Sequence, residues 1–391
     1  MKKVLVLFLA CSTMILSGCW DKVEIDRNAF VSTIGIDVGK DIKNKKALEG
    51  VKPDEPFGER KLERLNVTFA FPDISKYNSQ NPQISSDKYV KTPAYSMEDA
   101  LSNAVMKSSR AINLGHAELL LFSQEILQYP DQVKEVVDFL SRSPHTNRTM
   151  YVMMTEGNVE EFFDFKLEME NTIGAYITGL MENSKKNAAI LPITLNDFLI
   201  LLSDNGNAII PALTIDKEKN EMLINGIAII KGYKVMGILS LQDTTVIEML
   251  RGQLTSGKKV IYKDKVPVDF EIDGLKRRLK FSESDGKIFF NIDIDIEGKI
   301  KQYKVDKEIF NDTTLDEFQE YFSRSLSEEA EKVARRIQRE YGVDIFGLRE
   351  YVIKFMPDTW KKIQGDWEKS FKDAVINVNV DVDIRRIGTR K

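Results

Sequence analysis

Apolar and polar positions repeat along this chain with two periods, and the switches between them predict a mixed fold. Residues 29–38 (AFVSTIGIDV) and 62–71 (LERLNVTFAF) alternate every second position, as half-buried strands do. Residues 72–92 carry Pro72, Pro82 and several Asn, Ser and Gln, and read as a long loop. Ser96 stands three residues before Asp99, the spacing of a capping box. The helix it opens would bury a face of small residues, Ala100, Leu101, Ala104, Val105 and Ser108. A short apolar strand at 117–122 (AELLLF) follows. A helix over 131–140 then has Val133, Val136, Val137 and Leu140 on one face, and a strand covers 149–155. Helices near 158–166 and 170–186 complete this part. The order predicts an α+β sheet with helices covering one side.

Residues 193–202 read as a helix stopped by the turn cluster Asp204-Asn205-Gly206-Asn207, and 208–215 as a short strand. Asp216 to Glu221 is polar and turn-like, so a domain boundary is expected near 220. Beyond it, 222–230 and 234–239 form a hairpin around Lys231-Gly232-Tyr233, and a helix runs over 243–251. Strands are expected at 258–263, 266–273, 277–283 and 286–297. One long helix over 314–341 carries a stripe from Leu315 through Phe318, Phe322, Leu326, Ala330, Val333 and Ile337 to Tyr341. Thr314 and Glu317 have capping-box spacing, and Gly342 is placed to end the helix. A final helix over 345–374 is interrupted at Pro357. In the closing strand, 375–384, Val378, Val380, Val382 and Ile384 face one way and Asn379, Asp381 and Asp383 the other.

The first nineteen residues obey a different logic. Lys2 and Lys3 precede an apolar run from Val4 to Ile15, too short to span a bilayer but suited to a signal peptide. Leu16, Ser17, Gly18 and Cys19 then make a lipobox. Small residues let a peptidase approach the backbone, and the cysteine thiol takes the lipid. Cys19 is therefore the expected lipid attachment site (S-diacylglycerol, then N-acyl), cut free of residues 1–18. The expected class is α+β, with two or three mixed sheet-plus-helix domains after a cleaved lipoprotein signal peptide. The expected divisions are a signal peptide at 1–18, an N-terminal α+β domain at 19–195, a small middle segment or linker at 196–220 and a C-terminal α+β domain at 221–391.

Composition narrows the chemistry. The chain has two cysteines, and cleavage removes Cys11, so neither an internal disulfide nor a thiolate metal site is expected. The two histidines, His116 and His145, are too few for a histidine-rich zinc site. The net charge is −4 with acidic and basic residues interleaved, which gives no basic patch for nucleic acid. No nucleophile elbow, HExxH helix, phosphate loop or dinucleotide fingerprint occurs. Asp293, Asp295, Glu297 and Gly298 begin like a calcium loop, but position twelve is Lys304, so the string reads as the solvent face of a strand. His116 could be a pocket histidine or a turn residue capping a strand end. No motif supplies a second titratable group, which favours the turn residue. His145 reads as an exposed loop residue. Trp360 and Trp367 lie seven apart, hence on one helical face, and serve either as core anchors or as an interface hot spot, with core favoured. Trp20, Asp21 and Glu24 are either a solvated tether or a contact to a membrane partner.

Four stretches resemble one family. Cys19 to Asp37 (CWDKVEIDRNAFVSTIGID) resembles the C-W-D-x-x-E-I start of the Ger(x)C family, the lipoprotein C subunits of spore germinant receptors, with Val23 where a basic residue is expected. Residues 109–127 (SRAINLGHAELLLFSQEIL) resemble its "GH" segment leading into a strand. Residues 225–252 resemble its hairpin and helix, and 341–371 resemble its "D-x-x-G…P-x-x-W…W" segment. The resemblance implies a non-enzymatic subunit without cofactor, held by lipid on the outer face of the cell membrane (the spore inner membrane). It implies integral membrane A and B subunits as partners and a nutrient germinant as the signal, with no catalytic residues. The competing reading is an extracytoplasmic solute-binding lipoprotein of a transporter, which would show two similar α/β lobes about a hinge.

Overall fold

The computed structural model describes residues 28–43, 62–73, 85–183, 190–263, 266–284, 286–303 and 312–387. Up to residue 239 the chain supplies strands β1 (Asn28–Phe30), β2 (Thr33–Val38), β3 (Leu65–Asp73), β4 (Ser85–Ala94), β5 (Ala111–Asn113), β6 (Leu119–Ser123), β7 (Tyr151–Thr155), β8 (Ala208–Asp216), β9 (Glu221–Lys231) and β10 (Lys234–Leu239). Two of these, β1 and β5, pair separately. The other eight form the first sheet, in the order β10-β9-β8-β7-β6-β2-β3-β4. Its centre, β8-β7-β6-β2, is parallel, and an antiparallel pair extends it on each side.

Helices cover both faces of this sheet, not one. On one face lie α1 (Met97–Lys107), α2 (Pro130–Arg142) and α5 (Leu195–Leu202), and on the other α3 (Val159–Phe163) and α4 (Ile173–Asn183). The residues show why. Every residue of β6 is buried, with Leu120 and Phe122 on the first face and Leu119 and Leu121 on the second. A parallel strand with crossover helices on either side needs apolar side chains both ways, and continuous apolar runs such as AELLLF record that need.

Two further expectations change. The stretch read as a loop contains β4, an edge strand whose partner β3 supplies the order that its own polar sequence does not announce. In α1, Met97, Ala100 and Ala104 are buried while Val105 is 49% exposed. Residues 217–220 form the turn of the β8–β9 hairpin, and β9 and β10 pair into the first sheet. A polar turn closes a hairpin as readily as it begins a linker.

The second sheet is β11 (Gly257–Lys263), β12 (Val266–Ser284), β13 (Lys287–Tyr303) and β14 (Val375–Ile387), in that order. The two strands expected at 266–273 and 277–283 are the single strand β12, whose pairing with β13 shifts register between Ile272 and Gly274. Helix α6 (Leu241–Arg251) joins the sheets, and α7 (Asp312–Arg336) lies across the second. Helix α7 has the expected stripe, with Phe318, Phe322, Leu326, Ala330, Val333 and Ile337 buried. It starts at Asp312, so Thr314 lies inside it and not at its cap. Gly342 does end the helical segment, at φ 63°.

Helix α7 also reaches the free edge of β14. The N–H of Val380 donates to Ser327 Oγ (2.9 Å), that of Val382 to Ser323 Oγ (3.0 Å) and that of Ile384 to Gln319 Oε1 (2.9 Å). Four helical residues rise about 6 Å and two strand residues about 6.8 Å, so the two ladders stay in step over this length.

The chain from 345 to 374 breaks into α8 (Leu348–Phe355), α9 (Pro357–Ile363) and α10 (Trp367–Asp373). Pro357 sits in the first turn of α9, where its missing N–H costs nothing.

Candidate functional site

Cys19, Trp20, Asp21 and Glu24 lie outside the described residues. So do the expected signal peptide and the tether. The structure therefore begins at Asn28, and the chemistry available within it lies elsewhere.

Several buried charged groups gather where the two sheets meet. Helix α6 is wedged between them. Ser240 and Asp243 form a reciprocal capping box at its start, and Gly252 in the left-handed conformation ends it. Because both bodies press on it, Val246, Ile247, Glu248, Met249 and Leu250 are all buried in succession. One-sided periodicity cannot describe such a helix. Glu248 is 7% exposed, its Oε1 makes no hydrogen bond, and Arg251 Nε is 3.7 Å away. Burial pushes its carboxyl up to about 7, against the opposing pull of Arg251.

Arg251 is committed elsewhere. Its Nε donates to Gln253 Oε1 (2.9 Å) and its Nη1 to the carbonyl of Ile345 (2.8 Å), which ties α6 to the segment before α8. That segment, Val343 to Phe346, is organised by Asp344. Its carboxylate accepts from the N–H groups of Phe346 (3.0 Å), Leu348 (3.3 Å) and Arg349 (2.6 Å). Burial raises its pKa and the three donors pull the other way. Gly347, at φ 76°, begins α8. Asp344 and Gly347 thus make a turn in which one carboxylate serves the otherwise unpaired N–H groups of a helix start.

Around this turn stand two more arginines. Arg349 pairs with Asp204 (3.0 Å), joining α8 to the turn after α5, and stacks 5.1 Å from the ring of Trp360. Arg277, on β12, has Nε and Nη2 buried without a hydrogen bond, and burial lowers its pKa. Two adjoining cavities open here, of about 460 and about 180 Å³. They share Ile200, Leu201, Arg251, Gln253 and Glu350. The larger contains Glu248, and the smaller contains Arg277 and Asp344.

The residues singled out from the sequence are scattered. His116 is exposed and meets Phe30 edge-on at 4.7 Å, at a shallow apolar hollow with Pro72 and Glu118. His145 is exposed. Trp360 and Trp367 do not share a helix, because residues 364–366 form a separate turn. Their rings still meet at 5.8 Å across that corner, and Trp367 is buried at 6% exposure. Asp293, Asp295 and Glu297 face away from the core and pair with Lys280, Arg278 and Arg385. Among the described residues no group of three His, Cys, Asp or Glu could hold a metal ion, and no helix is long and apolar enough to cross a membrane. The junction cleft escaped sequence reasoning. Its one local signal in the sequence is Asp344-x-x-Gly347, and its other parts come from residues 190–208, 248–256 and 277.

The two halves of the chain match two family models. Residues 21–215 match the spore germination protein N-terminal domain, and 225–388 match the spore germination B3/GerAC-like C-terminal domain. The chain is a spore germination protein of the Ger(x)C family. It is 25% identical to spore germination protein A3 of Bacillus subtilis (strain 168) over 99% of both chains. To spore germination protein YndF of the same organism it is 24% identical, over 98% of this chain and 96% of that one. The crystal structure of the GerBC protein has the same fold, with a TM-score of 0.59 at 19% identity over 82% of this chain and 94% of that one.

Proposed function

We propose that this protein is the lipid-anchored C subunit of a nutrient germinant receptor, a non-catalytic scaffold that couples its integral membrane partners. The observation that carries this reading is coverage. Both germination-family domains are matched in order, and the similarity to spore germination protein A3 runs the length of both chains. The lipobox ending at Cys19 supports an anchor on the outer face of the cell membrane, the spore inner membrane. Integral membrane A and B subunits are the partners such a subunit would dock. The transporter reading gains nothing from the fold, because an eight-stranded sheet beside a four-stranded one is not a pair of similar lobes.

The test is Cys19→Ala in spores, followed by membrane fractionation and nutrient-triggered germination. The expected result is loss of the protein from the membrane fraction together with slowed germination on the nutrient that this receptor serves. Normal germination with the protein absent from the membrane would refute the anchored role.

A further inference from the structure

We infer that the larger junction cavity is a binding site for a small organic ammonium compound, held by its charge at Glu248 and by its hydrocarbon against Ile193, Ile200 and Leu201. The cavity, about 460 Å³, lies between two sheet bodies, where ligand sites are commonly built. Its lining is apolar on the side of residues 190–193 and 200–201. The charges in the lining are three carboxylates, Asp197, Glu248 and Glu350, and one guanidinium, Arg251. Asp197 Oδ2 is engaged by Thr194 in the cap of α5, and two of the Arg251 nitrogens are spent on Gln253 and the Ile345 carbonyl. Among these three carboxylates, Glu248 combines burial with an oxygen, Oε1, that lacks a hydrogen bond and has Arg251 Nε only as a 3.7 Å ion-pair neighbour. A carboxylate in that condition costs stability unless a donor arrives, and a cationic donor satisfies it best. The excess of carboxylates over guanidinium argues against an anionic ligand. The volume and the isoleucine wall argue for a hydrocarbon body of a few carbons, not a bare metal ion. The inference rests on this cavity and not on the receptor assignment.

The experiment is calorimetric titration of the full chain, purified from membranes in detergent, with isoamylammonium chloride, 3-methylbutanol and sodium isovalerate. These probes share a hydrocarbon and differ in charge. Saturable binding of the ammonium probe alone is expected at low millimolar concentration. Glu248→Gln should weaken it by at least ~tenfold, the effect of losing one charge-assisted contact. Ile200→Trp provides a second arm. Ile200 is 52% exposed and borders both cavities, so the larger ring fills the mouth without entering the core and should also abolish binding. No saturable binding by the unaltered chain would overturn the inference. So would equal binding of the three probes, or ammonium binding that persists in Glu248→Gln or in Ile200→Trp. Such a result beside intact, Cys19-dependent germination would remove the ligand site and leave the receptor role standing.

Discussion

Replacing Glu248 by Gln should leave the protein's stability unchanged in mild acid and raise it in mild alkali. Glu248 is held at 7% exposure by the bodies on either side of α6, and burial lifts its carboxyl from 4.5 to about 7. A carboxyl whose folded pKa is raised binds its proton more tightly in the folded state. Its contribution is complete below the unfolded value of 4.5 and is lost as pH rises through about 7. At roughly 1.4 kcal/mol per pKa unit, the loss across that window is about 3 kcal/mol. Gln matches the protonated acid in shape and does not ionise, so it escapes the loss. Urea denaturation at several pH values between about 4 and 8, followed by tryptophan fluorescence, measures the difference. Trp360 and Trp367 report on the body that α6 supports. The stability gap between variant and parent should grow from near zero to about 3 kcal/mol in favour of Gln. Parallel pH profiles would show that Glu248 finds a partner or solvent in solution, and the reasoning from burial would fail.

Two other perturbations test the packing. Asp344→Ala strips the acceptor from three N–H groups at the start of α8, at about 1–3 kcal/mol each for a buried donor left unpaired. Relief of the carboxylate's own burial offsets part of this. A net loss of about 3 kcal/mol is expected by denaturation, with Asp344→Asn intermediate. Gly226 lies at φ 143°, where an added Cβ would fall 1.8 Å from the Leu239 carbonyl oxygen. Gly226→Ala must therefore displace the β9–β10 hairpin, costing more than about 3 kcal/mol and lowering soluble expression.

The chain announces its elements better than their assembly. The stripe from Phe318 to Ile337 and the turn at Lys231-Gly232-Tyr233 are local, and each appears where its spacing puts it. Tyr233 even takes the left-handed conformation that such a hairpin turn demands. Strand β4 is not legible in the sequence because an edge strand need not alternate, and Lys88, Tyr89 and Lys91 show no apolar face of their own. The return of β9 to the first sheet across the turn at 217–220 is a long-range fact that no local pattern carries. The seven-residue spacing of Trp360 and Trp367 predicts a single helix, yet the corner at 364–366 brings the rings together anyway. The cleft was invisible for a related reason. Glu248 lies in a helix that a one-sided pattern would leave partly wet, and only the second body makes it dry.

The rungs between α7 and β14 have a consequence for how copies of this protein behave in a crowd. Chains tethered to one membrane, as proposed, diffuse in two dimensions and collide far more often than the same number free in solution. An open strand edge would invite them to zip together, since exposed N–H groups are a template for another chain. Gln319, Ser323 and Ser327 occupy that template on the β14 side. Three side chains on the polar flank of a helix thus act as insulation. They keep lateral encounters from becoming permanent and leave the surface free for reversible, chosen neighbours.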